Sequence, residues 1–299
     1  MSELQEQAAR LLRETLARQP RAQVLVGLLG RAIQSSRSPI MHEREARRLG
    51  LDCRYLLVDF DALGLPDAAL PAVIDAAARE GFAGFNVTHP FKQQILPHLA
   101  ALSPEAQAIG AVNTVVLSGG QAVGHNTDAW GFASSYRRDM KGAPLERVVQ
   151  FGAGGAGAAV AHALVELGAG ELSLIDRDRD RAETLAHRLR ASSGRNIRAV
   201  ADDARALADA QGIVNATPMG MAKYPGLPFA AALLRPTHWV AEIVYFPAET
   251  ELLRLARELG CRTLSGTGMA IGQAARAFEL FTGRTPDPAA MASHFEAAA

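Results

Sequence analysis

Cysteine is nearly absent. Only Cys53 and Cys261 occur in 299 residues, far apart and in no CxxC pair, which predicts two reduced thiols in a cytoplasmic protein. No stretch reaches the ~18 apolar residues that a membrane span needs. The segment Met1 to Arg21 has scattered charges and no apolar core, so it is not read as a secretory signal. It predicts a polar amphipathic helix with Leu11, Leu12 and Leu16 on one side. Net charge is missing too: 31 Lys+Arg balance 31 Asp+Glu, which removes any global electrostatic reason to expect nucleic acid or an anionic membrane as partner. Internal repeats and low-complexity linkers are not seen. His42, His89 and His125 share no ligand spacing, so they read as surface or packing histidines and no metal is expected. What is there, 48% hydrophobic and 21% charged residues, suffices for packed cores in two ordinary domains.

Strand-like and helix-like segments alternate. Val24–Leu29, Tyr55–Val58, Gly84–Val87 and Val112–Leu117 read as strands, with helices through Ser38–Leu49, Leu70–Glu80 and from Pro90 to before Leu102. Ser38 reads as the N-cap of the first of these helices, with Pro39 at its first position. Ser118-Gly119-Gly120 turns the chain back, and Asn126–Met140 reads as a helix between domains. A second series follows: strands at Val148–Phe151, Glu171–Ile175, Ile213–Asn215, Val240–Val244 and Thr263-Leu264, with helices to Leu167, at Arg181–Arg190, Ala248–Leu259 and Gly268–Phe281. This rhythm predicts an α/β protein with mostly parallel sheet.

Gly152-Ala153-Gly154-Gly155-Ala156-Gly157 fits G-x-G-x-x-G between a strand and a helix. The first glycine permits a tight turn, the second admits a pyrophosphate to the backbone, and the third lets helix and strand pack closely. The helix N-terminus offers free N–H groups to phosphates. Asp176 ends the next strand at about the ~20-residue spacing of a ribose-binding acid. A carboxylate there favours NAD and repels the 2′-phosphate of NADP. Arg177, Arg179 and Arg181 follow at once and could pair with that phosphate, so NADP stays open.

Polar groups of another kind gather in the first half. Ser36 and Ser38 place hydroxyls at i and i+2 by a helix start, which suits a carboxylate or plain capping. Asn86, Thr88 and Lys92, in Asn86-Val87-Thr88-His89-Pro90-Phe91-Lys92, leave the carboxyl end of a buried strand, where ligands sit in open α/β sheets. Asn113-Thr114 is a polar pair in an apolar strand, and a buried Asn there needs partners that a polyol could supply. Gly124-His125-Asn126-Thr127-Asp128 adds a carboxylate at a helix start.

In this order the motifs resemble those of the shikimate/quinate dehydrogenase family. Gly27 to His42, containing Ser36 and Ser38, is similar to the substrate-carboxylate motif, and Asn86–Lys92 to the catalytic lysine motif. Ala111-Val112-Asn113-Thr114 and Gly124–Asp128 match the next two. Asn215-Ala216-Thr217-Pro218-Met219-Gly220-Met221 resembles the loop near the nicotinamide, and Met269–Ala274 the helix returning to the substrate domain. The family often has His where this chain has Ser35. Asp176-Arg177-Asp178, in place of an Asn-Arg-Thr triplet, looks closer to the NAD-linked quinate/shikimate branch than to the NADP-linked biosynthetic one.

The resemblance implies two domains: a substrate domain at 1–127, a Rossmann domain at 128–265, and C-terminal helices at 266–299 completing the first. It implies hydride transfer between the nicotinamide and the C3 carbon of shikimate, with quinate as a second candidate substrate. Lys92 and Asp128 would handle the reacting hydroxyl. Ser36 and Ser38 would hold the carboxylate, with Asn86, Thr88, Asn113, Gln273 and Tyr245 around the rest of the substrate. Gly152–Gly157, Asp176, Arg177, Asn215–Met219 and Met269 would hold the cofactor. No macromolecular partner is expected; monomer and homodimer both stay open. A methylenetetrahydrofolate dehydrogenase also pairs a lysine-bearing domain with a dinucleotide fold, but the paired serines and Asn113-Thr114 favour a polyol acid. A non-catalytic ligand sensor is the other alternative.

Overall fold

The computed structural model describes residues 3–17 and 22–297, so the end of the expected N-terminal helix, from Arg18 to Arg21, lies outside the described residues. The chain divides into two compact units, Met1–Thr127 with Ala274–Ala299, and Asp128–Gln273. In sequence, the second unit is thus inserted whole into the first.

The first unit holds strands β1 (Val24–Gly30), β2 (Cys53–Asp59), β3 (Gly84–Val87), β4 (Ala101–Leu102), β5 (Thr114–Ser118) and β6 (Gln121–His125), in the order β2-β1-β3-β5-β6-β4. β1 pairs parallel with β2 and β3, whereas β5 runs antiparallel to β3 and β6. β1 reads Val-Leu-Val-Gly-Leu-Leu-Gly because it lies inside the sheet, where a parallel strand meets apolar neighbours on both faces. One face is covered by the helices Glu3–Ala17 and Leu70–Arg79, through Leu12, Leu70, Val73 and Ala77 against Phe85 and Val87. On the other face Ala277, Phe278 and Phe281, from the end of helix Gly266–Thr282, meet Val26, Leu28, Cys53 and Tyr55.

The second unit holds β7 (Arg147–Phe151), β8 (Glu171–Ile175), β9 (Asn196–Ala199), β10 (Gly212–Asn215), β11 (Trp239–Glu242) and β12 (Arg262–Leu264). Their order is β12-β11-β10-β7-β8-β9 and every pairing is parallel. Counted from β7, this is the 3-2-1-4-5-6 order of the Rossmann fold.

Several expectations need correction. Ser38 does not cap its helix. It lies inside Ser38–Arg48; Arg37 holds the cap position with no side-chain bond, and the Ser36 hydroxyl accepts from the Ser38 amide at 3.3 Å. The helix expected after Pro90 is one turn, Phe91–Gln94, followed by a 3₁₀ turn at Leu96–His98, because Pro97 has no N–H to continue it. The helix expected from Ala248 starts at Glu251, where Thr250 caps the Leu253 amide at 3.3 Å. Asn113 precedes β5 rather than lying within it. The strands β6 and β9 and the helices Asp203–Ala208 and Pro288–Glu296 were not expected. Among the described residues no helix is long and apolar enough to cross a membrane, and no cluster could hold a metal ion. Cys53 and Cys261 are buried thiols without a disulfide.

His42 is a packing residue. It is 1% exposed, lies tilted against the Tyr55 ring at 4.7 Å and near Phe278 and Phe281, and neither ring nitrogen has a hydrogen-bond partner among the described residues. Burial lowers its pKa from 6.5 to about 3. Between those values the unfolded chain binds a proton that the folded chain refuses. The stability from a neutral His42 is therefore fully present above 6.5 and is lost as pH falls toward 3. The urea midpoint of the wild type is expected to drop on acidification more steeply than that of His42→Phe, by the equivalent of up to about one proton. Equal slopes would sink this assignment.

Candidate active site

In an open α/β sheet, ligands sit outside the carboxyl ends of the strands where the strand order reverses. In the first unit this point lies between β1 and β3. The segment leaving β1 carries Ser36 and Ser38, and the segment leaving β3 carries Thr88 and Lys92. The two are tied together: the Thr88 amide donates to the Leu29 carbonyl at 2.9 Å and the Arg31 amide to the His89 carbonyl at 3.1 Å. All four side chains are partly exposed.

The segment after β1 runs through Ala32 at a φ of 53° and has no regular ladder to hold it. Asp59, ending β2, takes that role. Its oxygens accept from the Ala32 and Ile33 amides at 3.1 Å each, from the Gln34 amide nitrogen at 3.0 Å and from the Asp61 amide at 3.1 Å. Burial alone would raise the Asp59 pKa, but these donors outweigh it and hold the carboxyl below its ordinary value. Arg31 adds an ion-paired brace to Asp61 and Asp67.

Asn86 and Asn113 are buried and joined. The Asn86 side chain donates to the Thr114 hydroxyl at 3.1 Å, and its oxygen accepts from the Tyr55 hydroxyl at 2.8 Å. Asn113 accepts the Thr127 amide at 2.7 Å and donates to the Thr127 hydroxyl at 3.0 Å. A buried Asn113 therefore does not need a ligand to supply its partners; it fixes the start of helix Thr127–Asp139, whose second residue is the buried Asp128. The Val112 amide donates to the Lys92 carbonyl at 2.8 Å, which ties the lysine's backbone to the segment leading into β5.

The second unit reverses its strand order between β7 and β10. Gly152 has a φ of 99°, and a Cβ there would sit 2.5 Å from the Ala216 carbonyl, so the loops after the two strands touch and only glycine fits. A Cβ on Gly157 would collide with the Gly152 carbonyl, whereas one on Gly154 would meet nothing within 4 Å: the open side is where a pyrophosphate would lie. Gln150, fully buried in β7, donates to the Gly152 and Gly157 carbonyls at 2.8 Å each and sets the loop's curve. Asp176 accepts the Ala153 amide at 2.7 Å and the Asp178 amide at 2.9 Å, which holds it beside the glycine loop. Arg181 approaches Asp176 at 3.8 Å, and Arg177 reaches the Met219 sulfur at 3.9 Å. These residues would suit a dinucleotide: a glycine loop open to phosphate at Gly154, with the Asp176 carboxylate fixed beside it.

After β10, the Asn215 oxygen accepts the Thr217 amide at 3.1 Å and its hydroxyl at 2.7 Å, while its nitrogen donates to the Met219 carbonyl at 2.8 Å. Met269 is buried in helix Gly266–Thr282, where Gln273 donates to the Ala270 carbonyl at 3.0 Å; Tyr245 is exposed on the segment after β11. The sequence reading missed Asp59, Tyr55, Gln150 and Glu242. Their one signal is a lone polar residue within or at the end of an apolar strand.

Two family models match: the shikimate dehydrogenase substrate binding domain over residues 28–115, and the shikimate 5′-dehydrogenase C-terminal domain over 266–293. A shikimate dehydrogenase (NADP(+)) of Streptomyces avermitilis is 56% identical over 88% of this chain and 91% of its own. A quinate/shikimate dehydrogenase (NAD(+)) of Corynebacterium glutamicum is 46% identical over 91% and 98%. Among solved structures, quinate dehydrogenase from Corynebacterium glutamicum in complex with NAD matches with a TM-score of 0.86 at 46% identity, covering 92% of this chain and 99% of that one. The Thermus thermophilus shikimate 5-dehydrogenase in complex with NADP(H) and shikimate matches at 0.82 and 37%, covering 93% and 100%. Identity at this level over most of the length is shared descent, and the chain belongs to the shikimate/quinate dehydrogenase family of NAD(P)-dependent oxidoreductases.

Proposed function

We propose that the protein reversibly oxidises the C3 hydroxyl of shikimate to the ketone, with quinate as a second substrate and NAD as the favoured cofactor. The observations that carry the reading are the hydroxyl and amide residues and Lys92 around the β1/β3 switch point of the first unit and, in the second, a glycine loop open at Gly154 at the β7/β10 switch point. When bound, the nicotinamide supplies the hydride acceptor. Ser36 and Ser38, freed from capping, bind the substrate carboxylate. Asn86, Thr88, Asn113, Gln273 and Tyr245 orient the remaining ring groups. Lys92 takes the proton of the reacting hydroxyl, and Asp128 orients that hydroxyl. In the reverse direction Lys92 returns the proton to the carbonyl oxygen.

For the cofactor, Gly152–Gly157 hold the pyrophosphate and Asp176 the adenosine ribose. Asn215, Ala216, Thr217, Pro218, Met219 and Met269 border the nicotinamide. The fixed carboxylate of Asp176 favours NAD. A second reading, NADP use, is favoured by Arg177 and Arg181 beside that carboxylate and by the NADP-linked name of the Streptomyces relative.

Initial rates with shikimate or quinate against NAD or NADP test both readings. NAD preference supports the Asp176 assignment, NADP preference overturns it, and absence of turnover in all four combinations sinks the oxidoreductase reading. Lys92→Ala is expected to lose about 10²–10⁴-fold in kcat while still binding cofactor; a loss of two- or three-fold would remove Lys92 from proton transfer. Asp176→Asn keeps the acceptor for the Ala153 amide but removes the charge. It is expected to shift the NADP/NAD ratio of kcat/KM by about tenfold or more toward NADP, and an unchanged ratio would count against ribose reading by Asp176.

A further inference from the structure

Glu242 is a carboxylate where the sheet has no evident use for one. It ends the otherwise apolar strand β11, is 2% exposed and has no part in the reaction above. Both its oxygens accept from the Asn215 side-chain nitrogen, at 3.0 and 2.9 Å. The Val244 amide donates at 2.9 Å and the Thr250 hydroxyl at 3.1 Å. Asn215 in turn fixes Thr217 and the Met219 carbonyl, and the Thr217 hydroxyl accepts the Met219 amide at 3.1 Å. The loop's far end leans on the same pair: a Cβ on Gly220 would sit 3.2 Å from the Thr250 methyl and 3.5 Å from a Glu242 oxygen.

We propose that Glu242, oriented by Thr250, is a positioning residue that latches the Asn215–Gly220 loop in the shape that receives the nicotinamide end of the cofactor. The inference rests on the reading, given above, that this loop borders the nicotinamide.

The polar contacts of Glu242 are made with donors. An ionised carboxylate accepts from all of them, whereas a neutral acid carries a proton that only the Thr250 hydroxyl could turn to accept, giving up its own donation, and accepts more weakly from the rest. Among the described residues, the groups that meet it, Asn215, Ile243, Val244 and Thr250, are uncharged, so none of them forms an ion pair with it. Burial pushes its pKa up, the donors pull it back, and the balance falls at about 7. The latch is therefore closed above neutrality and loosened below it. A loop that is only partly populated in its receptive shape weakens apparent affinity in proportion.

The test is a fluorescence titration of the full chain, without substrate, about one pH unit either side of neutrality. The probes are the reduced cofactor selected by the rate grid, NADH or NADPH, and the matching fragment without nicotinamide, ADP-ribose or its 2′-phosphate. Wild type is expected to bind the reduced cofactor about tenfold more tightly on the alkaline side, and the fragment equally on both. Glu242→Gln brings an amide to a site of donors, so it should bind the reduced cofactor weakly at both pH values and the fragment as wild type does. Thr250→Val removes a donor and should move the wild-type midpoint to higher pH.

A wild-type affinity for reduced cofactor that is flat with pH overturns the latch, as does wild-type pH dependence in Glu242→Gln. If Glu242→Gln loses the fragment as well, Thr250→Val decides: a raised midpoint supports the latch and an unmoved one overturns it. Failure of wild type to bind either probe overturns the cofactor-site reading itself, and the latch with it.

Discussion

A loop that leaves the carboxyl end of a buried strand carries backbone amides and carbonyls with no ladder partner, and each left unpaired costs about 1–3 kcal/mol. Here polar side chains at or near strand ends meet that need. Asp59 gathers the amides after β1, and Asn113 takes the Thr127 amide. Gln150 bonds two carbonyls of the glycine loop, Asp176 two amides beside it, and Asn215 with Glu242 the turn after β10. Because the loops are held by side chains within the protein, their open faces can be polar and still rigid. That is the preorganisation a hydroxyl-reading site requires.

The same constraint divides the labour between the units. In the first, the braced segments display small neutral groups, hydroxyls and amides, beside a single lysine. In the second they display backbone: a glycine loop whose open side has no side chain at Gly154, with Asp176 fixed at its rim. The proposed substrate, a small polyhydroxylated acid, and a dinucleotide would make these two demands, one at each unit's own strand-order reversal.

The sequence made the glycine loop, the serine pair and the Lys92 segment legible because each is a local spacing with a local cause. Boundaries failed where one residue overrode a pattern: Pro97 cut a helix to a turn, and Thr250 started another three residues later than its apolar pattern begins. The bracing residues were illegible for a different reason. Asp59, Gln150 and Glu242 are single polar residues in apolar runs, and they reach partners 26, 7 and 27 residues away in the chain, so no periodicity points to them. Asn113 was noticed, but its partners proved to be Thr114 and Thr127 rather than a ligand alone.

The first unit is split in the chain, and synthesis meets that split in order. When Thr127 emerges, the face of the sheet bearing Val26 and Tyr55 still lacks Phe278 and Phe281, which are made only after the whole second unit. The inserted unit is contiguous and can close as soon as Gln273 is made. The domain that starts first therefore finishes last, and until then an apolar sheet face is covered only in part, by helix Ser38–Arg48, a window in which a growing chain of this topology is open to chaperones or to aggregation.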